Sequence, residues 1–282
     1  MSAKARAPWW FRGPEAIGAA TRTAFENALQ GIAYLGGVVR LMGSVGQGVM
    51  LARSRQGGRV RAEPIRAQSV RFGVNSVPIV MLVQLFIGVI LALNLAPTLA
   101  LYGQLERTAD VVAIAVLREL GPLITAILLS GFAGASIAAE LGAMVEGEEI
   151  KALRAHALDP IRFLVIPRVL ATTVMMVGLT VVADIVGMFG GFLTGVFVLD
   201  IPALTYIDLT RVAVGPTDYL TGLAKSGVFG VIIASLACFE GLSVTGGAVG
   251  VGRATTTTVV KSIVWLIGAD MLFTAIFYTL GL

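Results

Sequence analysis

One histidine and one cysteine stand in 282 residues, and that scarcity removes whole classes of chemistry. His156, with no second histidine or cysteine near it, makes no metal site and supplies no Ser-His triad. No HExxH zinc motif is present. Cys238 sits in an apolar run, forms no disulfide within the chain, and is expected to pack. Charge is equally thin. Asp, Glu, Lys and Arg make up 13% of the chain against 56% hydrophobic residues, where a soluble domain carries about 25% charged residues. This is the composition of a polytopic membrane protein. The net charge of +4 then reports orientation in a membrane and not nucleic-acid binding.

No nucleotide loop is present either, although one stretch imitates it. EGLSVTGGAVGVGRATTTT, residues 240–258, holds five glycines within twelve residues. A Walker A loop needs lysine and Ser/Thr after its glycines, following a strand. Here no lysine follows. The dinucleotide pattern GxGxxG fails as well, because Arg253, Ala254 and Thr255 follow Gly252. The stretch is expected to be a tight turn, with its threonines as N-cap and packing residues of the last helix. No cofactor is expected, and any ATPase that powers the protein belongs on another chain.

What is abundant is long apolar sequence. Residues 72–105 carry no charge over 34 residues, with Pro97 expected to end the helix. Residues 120–139 are a second charge-free run, between Glu119 and Glu140. Residues 169–199 are interrupted only by Asp184, 219–239 by Lys225, and 262–282 by Asp270. A spanning helix needs about 20 such residues, so five spans are expected, at about 72–97, 118–145, 162–197, 217–241 and 258–282. Residues 1–71 are polar and basic, holding eleven of the 21 Lys and Arg. Within them, 14–55 read as one or two helices on the membrane surface, with Trp9, Trp10 and Phe11 as anchors. A sixth span there is the alternative. The start has no apolar h-region, so insertion is expected to rely on internal spans. Placing 1–71, 140–168 and 240–261 inside gives that side seventeen of the 21 basic residues. The N-terminus is then cytoplasmic and the C-terminus emerges on the outer side.

Between the second and third spans, EGEEIKALRAHAL (146–158) repeats Ile150, Leu153 and Ala157 at helical spacing. It reads as a short amphipathic helix offering an apolar stripe and charges to a cytoplasmic partner, or as a plain loop. Asp184, Lys225, Glu240 and Asp270 fall in or near spans, where ionisable groups are costly and pair or face water. Glu119 and Lys225 fall at one depth if the second and fourth spans adjoin. Asp184 and Asp270 suggest either a polar path or structural hydrogen bonds. An ion-coupled carrier or channel using them is the rival to ATP-driven transport. Gly187, Gly191 and Gly195 line one helix face, as closely packed membrane helices do.

Two long stretches, 117–171 (LRELGPLITAILLSGFAGASIAAELGAMVEGEEIKALRAHALDPIRFLVIPRVLA) and 225–274 (KSGVFGVIIASLACFEGLSVTGGAVGVGRATTTTVVKSIVWLIGADMLFT), together with FIGVILALN (86–94), resemble the MlaE/YrbE permease family. The resemblance covers about 72–282. It implies an all-α membrane protein, with an N-terminal interfacial (elbow) helix, five transmembrane helices, and a cytoplasmic coupling helix between spans 2 and 3. It implies a non-enzymatic subunit of an ABC-type lipid transporter in a bacterial inner membrane. Its partners would be a cytoplasmic ABC ATPase, an MCE-domain periplasmic protein, a second permease copy and phospholipid. The family's ATPase-coupling pattern falls on Glu148, Glu149, Ile150, Ala152 and Leu153, with Lys151 where Asp is frequent. Its lipid-path and gating positions fall on Leu91, Asn94, Leu99, Tyr102, Arg118, Glu119, Lys225 and Asp270. Phe132 stands where the family usually has arginine.

Overall fold

The computed structural model describes residues 22, 25, 29, 33, 34, 36–47 and 62–281. The expected anchors Trp9, Trp10 and Phe11 lie outside the described residues. Among those described, the regular structure is helical throughout, with no strand. Residues 36–47 form α1, which buries Val38 and Val45, seven positions apart on one face. Then follow α2 (Ala62–Phe72), α3 (Val77–Leu101), α4 (Leu105–Glu146), α5 (Glu149–Ala155), α6 (Ile161–Phe197), α7 (Ala203–Ala213), α8 (Pro216–Leu242) and α9 (Gly247–Leu280). Five helical stretches are long and apolar enough to cross a membrane: α3 with the end of α2, then α4, α6, α8 and α9. The short α5 lies at one end of the bundle and α7 at the other.

The α3–α6 seam is one of the most extensive helix pairs. It forms because α3 buries Val80, Gln84, Gly88, Ala92 and Ala96, one every four residues, and three of the five are small or nearly so. Across from them lie the glycines of α6. A side chain on Gly88 would run into the carbonyl of Gly187 and reach 2.9 Å from the Gly191 nitrogen. The glycine stripe therefore serves packing within the chain. Gly88→Val is expected to push the two helices apart and cost about 1–3 kcal/mol, read as a lowered thermal-unfolding midpoint in detergent. Gly178→Ala, where nothing lies within 4 Å, is the control that stays near the parent.

Three expectations are corrected. Pro97 does not end α3, which runs one more turn to Leu101. Proline removes only its own N–H, and the end is closed by Tyr102 and Gln104, whose N–H groups donate to the Leu99 carbonyl at 3.2 and 2.9 Å. The last span starts at Gly247 and not near 258. The turn is confined to the few residues before it, where Gly246 and Gly247 take φ of 95° and 69°, which side chains resist. The threonines are thus inside the helix. Thr255 and Thr258 donate to the carbonyls of Gly252 and Ala254, at 2.6 and 2.8 Å, returning their hydroxyls to their own helix. Third, α5 covers only 149–155, because Glu148 enters it with φ 59° and Ala157 leaves with φ 58°.

α7 is an element that apolar runs alone do not reveal. It is held by Tyr206, 4% exposed, set edge-on to Phe192 of α6 at 5.6 Å. Burial, and then the Asp110 carboxylate, pushes its phenol up to about 12, so it stays neutral at ordinary pH.

Candidate functional site

The most deeply buried charged side chain among the described residues, Lys225, meets its partners where three helices, α4, α8 and α9, come together. Lys225 of α8 is 1% exposed. Its Nζ lies 2.7 Å from Glu119 Oε2 of α4 and 3.0 Å from Asp270 Oδ1 of α9. It also donates to Thr274 Oγ1 at 3.0 Å. Thr274 Oγ1 in turn is 3.0 Å from Glu119 Oε1 and 2.9 Å from the Asp270 carbonyl. One ammonium thus ties two carboxylates and a hydroxyl from three helices. Beside it, Arg118 of α4 pairs with Asp218 of α8. Asp218 Oδ2 also accepts the Gly215 N–H at 2.8 Å, which caps the start of α8.

Local chain geometry explains why Arg118 and Glu119 both face α8. Residues Val116–Leu120 form a π-helical turn within α4, which takes in one residue more than an α turn. Two neighbouring positions are thereby brought to bear on one helix. Pro122, at the start of the following α segment, has no N–H to continue the α ladder backwards.

Around this cluster opens a cleft of about 140 Å³, lined by Arg118, Glu119, Thr221, Lys225, Thr274 and the rings of Phe277 and Tyr278. Its walls offer cations, an acid, hydroxyls and aromatic faces at once, the mixture that receives an amphiphile with a charged head. The depth argument for Glu119 and Lys225 is met by direct contact. Asp270 joins them, whereas Asp184, 2% exposed, lies instead against Gly121 of α4. Of the positions on α3, Leu91 packs beside the Ala92, Val112 and Val116 cluster, and Leu99 is partly buried. Asn94 is exposed and donates to its own helix at the Ile90 carbonyl, 2.9 Å away. Tyr102 is exposed beyond the helix end. None of these four lines the cleft.

The α5 end carries a second layer of ion pairs. Glu140 of α4 receives Arg71 and, at 3.1 Å, Arg168 of α6. Lys261 of α9 pairs with Glu240 of α8 at 2.7 Å and lies 3.7 Å from the Tyr34 ring centroid. On α5 itself, Ile150 is buried and Leu153 packs against the core. Ile150 and Leu153 are therefore turned toward the bundle, while Ala157, the third residue of the stripe, lies beyond the helix end and is exposed: a seven-residue helix lies flat by seating its apolar edge on the bundle. Glu149, Ala152 and Arg154 remain exposed. Exposed Glu148 and Lys151 pair at 2.6 Å, and this hydrogen bond and charge hold the Glu148 carboxyl below its usual range.

Comparison with known proteins settles the family. Residues 65–276 match the permease family MlaE. The chain belongs to that family. A probable ABC transporter permease protein of Rickettsia felis is 38% identical over 211 residues, covering 75% of this chain and 82% of the relative. The intermembrane phospholipid transport system permease protein MlaE of Haemophilus influenzae is 33% identical over 210 residues, covering 74% and 80%. The chloroplastic protein TRIGALACTOSYLDIACYLGLYCEROL 1 of Arabidopsis thaliana is 34% identical over 221 residues, covering 78% and 63%. This MlaE permease is accordingly a multi-pass membrane protein of the ABC-transporter permease kind.

Two members of its ion cluster escape a reading of spans alone. Thr274 has a signal, since it lies one turn beyond Asp270 on the same helix face. Asp218 also has one: GPTD, with glycine three residues before the acid, is a helix-start pattern. Phe132 is 48% exposed on α4 and belongs to a second π turn, Ser130–Gly134.

Proposed function

We propose that this permease is the membrane subunit of an ABC-type transporter that moves phospholipid between the inner membrane and the periplasm or outer membrane. A separate cytoplasmic ATPase powers it, and an MCE-domain protein receives or supplies lipid on the periplasmic side. The N-terminus is cytoplasmic and the C-terminus periplasmic. Residues 72–282 form the permease domain. The observation that carries this reading is the Lys225 cluster, a costly group of buried charges set at a cleft with aromatic and cationic walls. Its single-chain volume of about 140 Å³ is below the roughly 300–1,000 Å³ of ligand pockets. This supports a lipid cavity completed by a second copy. α9 supports the same arrangement: Val260, Val264, Ile267 and Met271 are all exposed along one face.

Reconstitution tests the reading. Vesicles holding the permease with its ATPase and MCE subunits are expected to transfer fluorescent phospholipid to acceptor vesicles only with hydrolysable ATP. Transfer by the permease alone, driven by an ion gradient and lost in Asp270→Asn, would establish the secondary-carrier reading instead.

A further inference from the structure

A second cavity lies away from the ion cluster, on the α4–α6–α7 side. It holds about 470 Å³ between Ile185, Met188, Phe189 and Phe192 of α6, Val112 of α4 and Ile207 of α7, with Thr210 and Arg211 at its polar edge. Three features define what it takes. First, Arg107 and Arg118 near the same end are ion-paired, whereas Arg211 forms no ion pair among the described residues, though Asp208 lies one turn before it. Second, Thr173, Thr180, Thr194 and Thr258 all return their hydroxyls to a carbonyl four residues back, whereas Thr210 Oγ1 is enclosed with no partner, as are Thr125 and Thr172, and of these three only Thr210 lines this cavity. A donor left unmatched in apolar surroundings costs about 1–3 kcal/mol. Third, one turn of a helix about 10 Å across occupies roughly 420 Å³, so the cavity seats a single turn and not a membrane-spanning partner helix. Ile185 to Phe192 rises about 10 Å along α6, well within the roughly 15 Å of one leaflet.

We propose that this trench is a resident-phospholipid site. One acyl chain lies along α6, an ester carbonyl accepts from Thr210, and the phosphate meets Arg211. The site is separate from the transport cleft: the two share no lining residue. It stands whether or not lipid is the cargo.

Photolabelling in vesicles of phosphatidylcholine tests it, with a small fraction of phosphatidylglycerol carrying a diazirine midway along one acyl chain. The full chain is labelled alone and again with its co-extracted subunits, and the labelled peptides are identified by mass spectrometry. Label is expected to concentrate on residues 185–192 and 207 above the level on the exposed face of α9. The double variant Thr210→Val, Arg211→Gln removes both the hydroxyl donor and the charge-assisted contact and is expected to cut it at least tenfold, with the α9 label unchanged. Ile185→Trp, at a site 60% exposed, fills the trench without touching the polar edge and is expected to cut it as well. Label spread evenly over α3, α6 and α9, or indifferent to both variants, would overturn the proposal. So would loss of label when the co-extracted subunits are present, which assigns the trench to a protein partner. ATP is not needed, so failure here is separable from failure of transport.

Discussion

Lys225→Met is expected to be among the most disruptive single substitutions in this protein. It removes the cation that contacts both Glu119 and Asp270, at 2.7 and 3.0 Å. Breaking a buried ion pair from one side leaves uncompensated charge and costs about 3–5 kcal/mol. Glu119 is about one-third exposed, which eases part of that through water, so the lower half of the range is expected. Three helices meet at the cluster, so the loss should appear as a lower unfolding midpoint and weaker protection of α9 in hydrogen exchange. The double variant Lys225→Met, Asp270→Asn removes one of the two stranded carboxylates. It is expected to recover most of the stability and none of the ATP-driven lipid transfer. That split separates a cluster that serves the cargo from one that only holds helices together. A single variant as stable and as active as the parent would show that the cluster does neither.

The second large effect is expected at α5. Its large apolar residues, Ile150 and Leu153, pack on the bundle, so an ATPase would be met by exposed positions such as Glu149, Ala152 and Arg154. Reversing charge there, Glu149→Lys with Arg154→Glu, is expected to abolish ATP-driven transfer and weaken ATPase co-purification at least tenfold, as the loss of two charge-assisted contacts would. The unfolding midpoint should stay within about 1 °C of the parent, since both side chains are exposed. Leu153→Ala behaves differently: it opens the α5 seat and lowers stability along with coupling. Normal co-purification and transfer by the charge-reversed variant would remove α5 from the coupling path.

The five spans were readable because burying ionisable groups in lipid is so costly that their absence over 20 residues means little else. The Glu119–Lys225 contact was readable for the same reason, as two isolated charges at matching depth need each other. The boundary at Gly247 was not readable. Glycine and threonine score as turn formers in water, yet within a bundle the threonine hydroxyls find their own carbonyls and the glycine turn is supplied just upstream. The direction of α5 was half readable: its periodicity identifies an apolar edge, but not whether that edge meets its own chain or another. The Arg71–Glu140–Arg168 group joins residues far apart in sequence that flank different spans, and only the assembled bundle brings them together.

The π turn at Val116–Leu120 has a consequence for how sequences of this kind vary. An α-helix turns about 100° with each residue, so chain length ahead of Gly121 acts as an angular setting as much as a length. One residue fewer in that turn would shorten α4 by little more than an ångström, yet it would swing everything from Thr108 to Ala115 around the axis. Val112, now buried against Gly191, would be carried off the α6 glycines while Glu119 still sought Lys225. The extra residue lets α4 keep two incompatible bearings in one continuous rod, as a key has its bow and its bit cut at different angles.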